Sequence, residues 1–138
     1  MTTETVKVPL VWYPEYPINV GIIDDNALYA FTHGQCTSFA IALSRVTGWQ
    51  MQACVWAEDS TGLSHVWCVL PDGRYADITG VHSEPPLMGG KVIIKVTEKI
   101  IARHVEADGN PPLAVWAAEK MIPAWVAYNR PHLVEYGA

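Results

Sequence analysis

The chain has 138 residues and a net charge of −5; half of it is apolar and only 17% is charged, the balance of a folded domain rather than a disordered segment. Its nine Lys and Arg are scattered, so the basic face that nucleic acid requires is not expected. No apolar run reaches the roughly 18 residues that span a bilayer, and the start, Met1-Thr2-Thr3-Glu4, lacks the basic and apolar stretches of a signal peptide. One soluble cytoplasmic domain over residues 1–138 is predicted, with neither nucleic acid nor membrane as partner. Its three cysteines, Cys36, Cys54 and Cys68, are then expected as free thiols.

Residues 1–23 read as an extended arm. Pro9, Pro14 and Pro17 oppose a helix, and Trp12, Tyr13 and Tyr16 suit an arm pressed onto the domain. Asp24-Asp25-Asn26 offers N-caps for a short turn over 27–31, which His33-Gly34-Gln35 interrupts. The clearest helix opens at Cys36. Apolar or small residues at Cys36, Phe39, Ala40, Leu43 and Val46 share one face, and Gly48 stands where a terminating glycine belongs. Strands are predicted over 50–57 and 65–70, joined by the turn-rich run 58–64. Pro71-Asp72-Gly73 is a turn, and 74–78 continues as a strand.

Residues 79–90, with Gly80, Pro85, Pro86, Gly89 and Gly90, read as a long surface loop, and 91–96 as a strand. Residues 97–104 suit either a continued strand or a helix. Asn110-Pro111-Pro112 opens a last helix over 114–121, which Pro123 ends or kinks. This order predicts an α+β domain with helices on one side of an antiparallel sheet.

Three residues in this frame carry chemistry. Cys36 stands in the first turn of its helix, where exposed N–H groups and the helix dipole favour a thiolate and an oxyanion alike. Gly34 beside it permits close approach of a substrate. Cys is also often a small core residue, so a base and an orienting group are needed to make the case. Strand alternation puts His65 and Trp67 on one face, with Val66, Cys68 and Leu70 on the other. Whether Asp77 can meet His65 depends on the turn. A two-residue loop sets position 68 opposite 77 and turns Asp77 away. A three-residue loop sets 67 opposite 77 and brings Asp77 diagonal to His65. Gly73 stands where such a loop needs a left-handed residue, so the three-residue loop is predicted.

Gly34-Gln35-Cys36-Thr37-Ser38-Phe39-Ala40, then His65-Val66-Trp67, then Gly73-Arg74-Tyr75-Ala76-Asp77 resemble the core of transglutaminase-like cysteine peptidases, within the papain-like fold. The similarity covers residues 34–80. It implies a central Cys-bearing helix packed on an antiparallel sheet. It also implies Cys36 as nucleophile, His65 as general base and acid, and Asp77 as the orienting group. Family members act on amides and related acyl groups, which implies a thiol hydrolase acting on a peptide or protein amide without a cofactor. Transglutaminase or deamidase chemistry, or a binding module that kept the fold, are the alternatives. The chain departs from papain in having Thr37 after Cys36, and it lacks the Asp-Cys-Ser-Gly of the cell-wall branch.

Gln35 and His33 are candidates for the oxyanion or cleft, and Trp67 for a cleft wall. His82 and the loop around it are placed to rim the cleft. A metal site built from Cys36, His65, Cys68 and His82 lacks metal-ligand spacing, and alternation turns Cys68 away. Cys54 and Cys68 read as core thiols.

Overall fold

In the computed structural model, which describes residues 4–10, 12–55, 63–87, 91–104 and 112–133, two antiparallel sheets are joined through a pair of helices. The first sheet has two strands, β1 (Thr5–Val8) and β2 (Tyr16–Asn19), in register from Thr5 opposite Asn19 to Val8 opposite Tyr16. The arm over 1–23 is thus a paired ribbon for much of its length. Its alternation supplies the reason: Val8 and Ile18 are fully buried, so the ribbon has a core face.

Helix α1 (Asp25–His33) follows, longer than the turn expected over 27–31. The Asp24 carboxylate accepts the Ala27 N–H at 3.0 Å and caps it. Helix α2 (Cys36–Thr47) starts and stops where the sequence indicates. Gly48 takes the left-handed conformation, φ 78°, that only glycine adopts cheaply, and its N–H closes onto the Ser44 carbonyl. Every residue from Thr37 to Leu43 is buried, so α2 is wedged between layers instead of showing one apolar stripe. Val46, expected on the core face, is 60% exposed, because the burial of α2 ends a turn before its C-terminus.

The second sheet runs β6–β5–β4–β3–β7, antiparallel throughout. Its strands are β3 (Gln50–Val55), β4 (Leu63–Val69), β5 (Tyr75–Asp77), β6 (Gly80–His82) and β7 (Val92–Val96). Met51, Ala53, Val66, Cys68 and Ala76 join the core that α2 enters, and His65, Trp67 and Tyr75 alternate with them. β4 begins two residues before His65, and the run 56–62 between β3 and β4 lies outside the described residues. The predicted loop 79–90 contains a strand: β6 folds back on β5, with Ala76 opposite Val81.

The undecided segment 97–104 is helical, as α3 (Glu98–His104). Helix α4 (Pro112–Leu133) passes through Pro123 and Pro131 instead of ending. Pro123 is exposed while Met121, Ile122 and Trp125 around it are buried, so packing on both sides outweighs the roughly 3 kcal/mol cost of an interior proline. No helix among the described residues is long and apolar enough to cross a membrane.

The arm is locked to the start of α2. The Gln35 side-chain amide donates to the Pro9 carbonyl at 2.6 Å, and Leu10 lies against Gly34. A Cβ built at Gly34 meets Leu10 Cα and Cδ2 at 2.9 Å. Gly34→Ala is therefore expected to cost roughly 1–3 kcal/mol, the range for overpacking, by pushing the arm off the α2 N-terminus. Urea unfolding checks this; an unchanged midpoint with an unchanged slope would show that the contact is not constraining.

Candidate active site

The β4–β5 hairpin decides which side chains meet. Leu70 N–H donates to the Arg74 carbonyl at 2.8 Å and Gly73 N–H to the Leu70 carbonyl at 2.9 Å, so the loop is Pro71-Asp72-Gly73. Gly73 has φ 91°, the left-handed residue that a three-residue loop needs. Cys68 pairs with Ala76 and Val69 with Tyr75, which puts Trp67 level with Asp77 and brings Asp77 diagonal to His65. The two meet: His65 Nε2 lies 2.9 Å from Asp77 Oδ2, with both residues buried.

Asp77 is held from several sides. Oδ1 accepts the Thr79 N–H at 2.9 Å and the Thr79 hydroxyl. His82 Nε2 lies 3.1 Å from the same oxygen. The Asp77 backbone carbonyl accepts the indole N–H of Trp125 at 2.7 Å. Burial alone would raise the Asp77 pKa, but the hydrogen bonds from His65 and Thr79 and the nearby imidazoles outweigh it and hold it below the ordinary carboxylate value.

An ionised carboxylate only accepts hydrogen bonds, so His65 Nε2 must carry a proton. In the neutral ring Nδ1 is then the basic nitrogen, and it is buried without a formed hydrogen bond. The group close enough to engage the ring besides Asp77 is the Cys36 thiol. Burial lowers the His65 pKa, yet bonding to Asp77 and the Cys36 side chain outweigh it and raise the pKa to about 9. The Cys36–His65 contact falls short of formed hydrogen-bond geometry.

Cys36, half-buried, lines a cleft of about 270 Å³ with Thr32, His33, Gly34, Thr37, Leu63 and Ser64. Gln35 places no side-chain cap on α2. A larger cavity of about 720 Å³ lies at the other end of α2, around Gly48, Trp49, Lys95 and Lys99. It contains neither Cys nor His, so the smaller cleft is the chemically equipped one.

The remaining candidates divide. Gln35 is fully buried. Its amide donates to Pro9, and its carbonyl oxygen accepts the Ser38 hydroxyl at 2.6 Å, so it fastens the arm to the start of α2. Trp67 is likewise fully buried, its N–H on Gln52 at 3.2 Å and its ring centroid 6.1 Å from that of His65. It backs the imidazole and does not wall the cleft. His33 does line the cleft, stacked on Tyr29 at 4.1 Å with its Nδ1 3.1 Å from the Tyr29 carbonyl. Cys68 donates to the Ala40 carbonyl at 3.3 Å, in the core. Among the described residues no three of His, Cys, Asp and Glu come together to hold a metal. Sequence reasoning gave His82 the cleft rim and missed its bond to Asp77. The signal was the Gly80 that lets the chain reverse after Asp77.

No family model, curated protein or solved structure matches the chain, so the chemistry of the site is read from its geometry.

The His65–Asp77 pair makes stability depend on pH. His65 has a folded pKa of about 9, above the ~6.5 of an unfolded chain. Its contribution is full below about pH 6.5, declines above it and is gone beyond about pH 9. Asp77 works oppositely, contributing above its ordinary value near ~3.9 and losing that contribution as pH falls through its lowered folded value. Stability measured by urea unfolding should fall from about pH 6.5 to about pH 9, and less steeply in His65→Gln. An NMR titration of the His65 ring should show a midpoint near 9 in the native protein, lower in Asp77→Asn and in Cys36→Ser. A midpoint at the unfolded value in all three proteins would refute the coupling.

Proposed function

We propose that the protein is a thiol hydrolase of papain-like, transglutaminase-like organisation, cleaving a peptide or protein amide through a thioester on Cys36. The observation that carries this reading is the buried His65 ring, with Nε2 held by Asp77, Nδ1 without a formed hydrogen bond and the Cys36 side chain beside the ring. A nucleophile, a base and an orienting group thus stand in sequence. The free-thiol chemistry suits a reducing compartment, so the cytoplasm is the proposed location.

With the ring of His65 holding the proton, the Cys36 Sγ attacks as thiolate on the amide carbonyl to form a tetrahedral oxyanion. The N–H groups of the first turn of α2 are the donors proposed to stabilise it. As the C–N bond breaks, the imidazolium returns its proton to the leaving amine and a thioester remains. His65 then deprotonates a water, which attacks the thioester, and the thiol leaves as the acid product forms. Asp77 keeps the proton on Nε2 throughout and stabilises the imidazolium. These steps use the three side chains and water alone.

The test is acylation by p-nitrophenyl acetate, read by mass spectrometry, together with iodoacetamide alkylation. Cys36 should be acetylated and alkylated well ahead of Cys54 and Cys68. His65→Ala should slow both reactions, and amide turnover once a substrate is in hand should fall roughly 10³-fold or more. Cys36 reacting like an ordinary peptide thiol, equally in native protein and His65→Ala, would overturn the proposal.

A further inference from the structure

Three atoms meet at the far side of the Asp77 carboxylate. His82 Nε2 lies 2.8 Å from Thr79 Oγ1 and 3.1 Å from Asp77 Oδ1, and the Thr79 hydroxyl also reaches Oδ1. One proton assignment satisfies all three contacts. The carboxylate has no proton and the hydroxyl has one, so the hydroxyl gives its proton to Oδ1 and His82 Nε2 must carry its own. That N–H is shared between Thr79 Oγ1 and Asp77 Oδ1. In the other neutral tautomer the Nε2 lone pair takes the hydroxyl proton. Oδ1 then faces a lone pair at 3.1 Å and loses the hydroxyl as well.

We infer that His82 is a positioning residue for the Asp77–His65 pair: its Nε2–H and the Thr79 hydroxyl fix Asp77 Oδ1, so that Oδ2 is presented to His65 in a single orientation. The fold places it for this. β6 pairs Tyr75 with His82 and Asp77 with Gly80, so His82 is diagonal to Asp77, as Asp77 is diagonal to His65, and two diagonal contacts run across one sheet face. The side chain of His82 is 36% exposed, against 0% for His65 and 5% for Asp77. It stands between the buried pair and water, where it both excludes solvent from Oδ1 and replaces that solvent with a fixed donor. Without it the Thr79 N–H and hydroxyl still reach Oδ1, but that oxygen loses one fixed donor and is opened to water.

The consequence for Cys36 rests on the hydrolase reading above, whereas the effect on His65 does not, and the experiment separates the two. In ¹H–¹⁵N spectra of the native protein at neutral pH, His82 should carry its proton on Nε2, and the hydrogen-bonded Nε2–H of His65 should give a sharp, downfield signal. A neutral His82 protonated on Nδ1 alone overturns the proposal without any variant. In His82→Leu the His65 signal should broaden or shift upfield, and Cys36 alkylation by iodoacetamide should slow roughly threefold to tenfold, the worth of one hydrogen bond. His82→Gln, whose amide keeps an N–H donor, should restore both readouts most of the way. If His82→Leu stays folded and leaves the His65 signal and the alkylation rate unchanged, His82 is only a surface residue. If native Cys36 alkylates like an ordinary thiol while the His65 signal still responds to His82, the positioning role stands and the hydrolase reading falls.

Discussion

A carboxylate taken out of water is the constraint around which this fold is arranged. Asp77 is 4% exposed, and an ion in that position costs several kcal/mol unless its oxygens are met by donors. They are met by groups from three directions: His65 on β4, Thr79 in the turn that follows, and His82 on β6. A fourth element closes the arrangement, because Trp125 of α4 donates to the Asp77 backbone carbonyl. Two features that local rules argue against accompany it. Helix α4 continues past Pro123 and brings Trp125 to this carbonyl. β6 interrupts a Pro- and Gly-rich run and brings His82 to the carboxylate.

The same arrangement separates the three thiols. Burial pushes the Cys68 thiol up to about 12 and raises that of Cys54 as well, so both are protonated and shielded. Cys36 is placed differently: it is partly exposed, it opens a helix, it lines a cleft and it adjoins a buried imidazole. The arm supports this difference from a distance. Gln35 and Gly34 bind Pro9 and Leu10, which fixes the backbone immediately before Cys36. Helix α2 is then buried from Thr37 to Leu43, so packing as well as the arm holds the start of the helix in place.

Much of this was legible in the residues, and what was missed has physical causes. The limits of α2 could be read because Gly48 is needed in a left-handed conformation. The β4–β5 register could be read because Gly73 is also left-handed and Pro71 suits the turn before it. In both cases a local backbone demand selects one residue type. The pairing of β1 with β2 spans residues 5 to 19 and is driven by burial of Val8 and Ile18 against distant elements, which no local pattern encodes. Pro123 left open whether the helix ends or kinks, because its cost is local whereas the packing of Trp125, which carries the helix on, is tertiary. Gln35 was a cleft candidate by sequence position; its bond to Pro9 became visible only when the arm was in place.

The hairpin register also has an energetic guard beyond its turn. With one residue fewer in the loop, position 77 would fall opposite 68, on the face where the Cys68 thiol donates to the Ala40 carbonyl. The Asp77 carboxylate would then enter an apolar core. It would lose His65 and face a carbonyl, an acceptor against an acceptor. That state desolvates a charge without its partner on β4. Strand registers in general slip when neither face objects. Here the group that the site needs for orienting its histidine is the same group that forbids the slip, so the chemistry of the site and the specificity of the fold rest on one buried side chain.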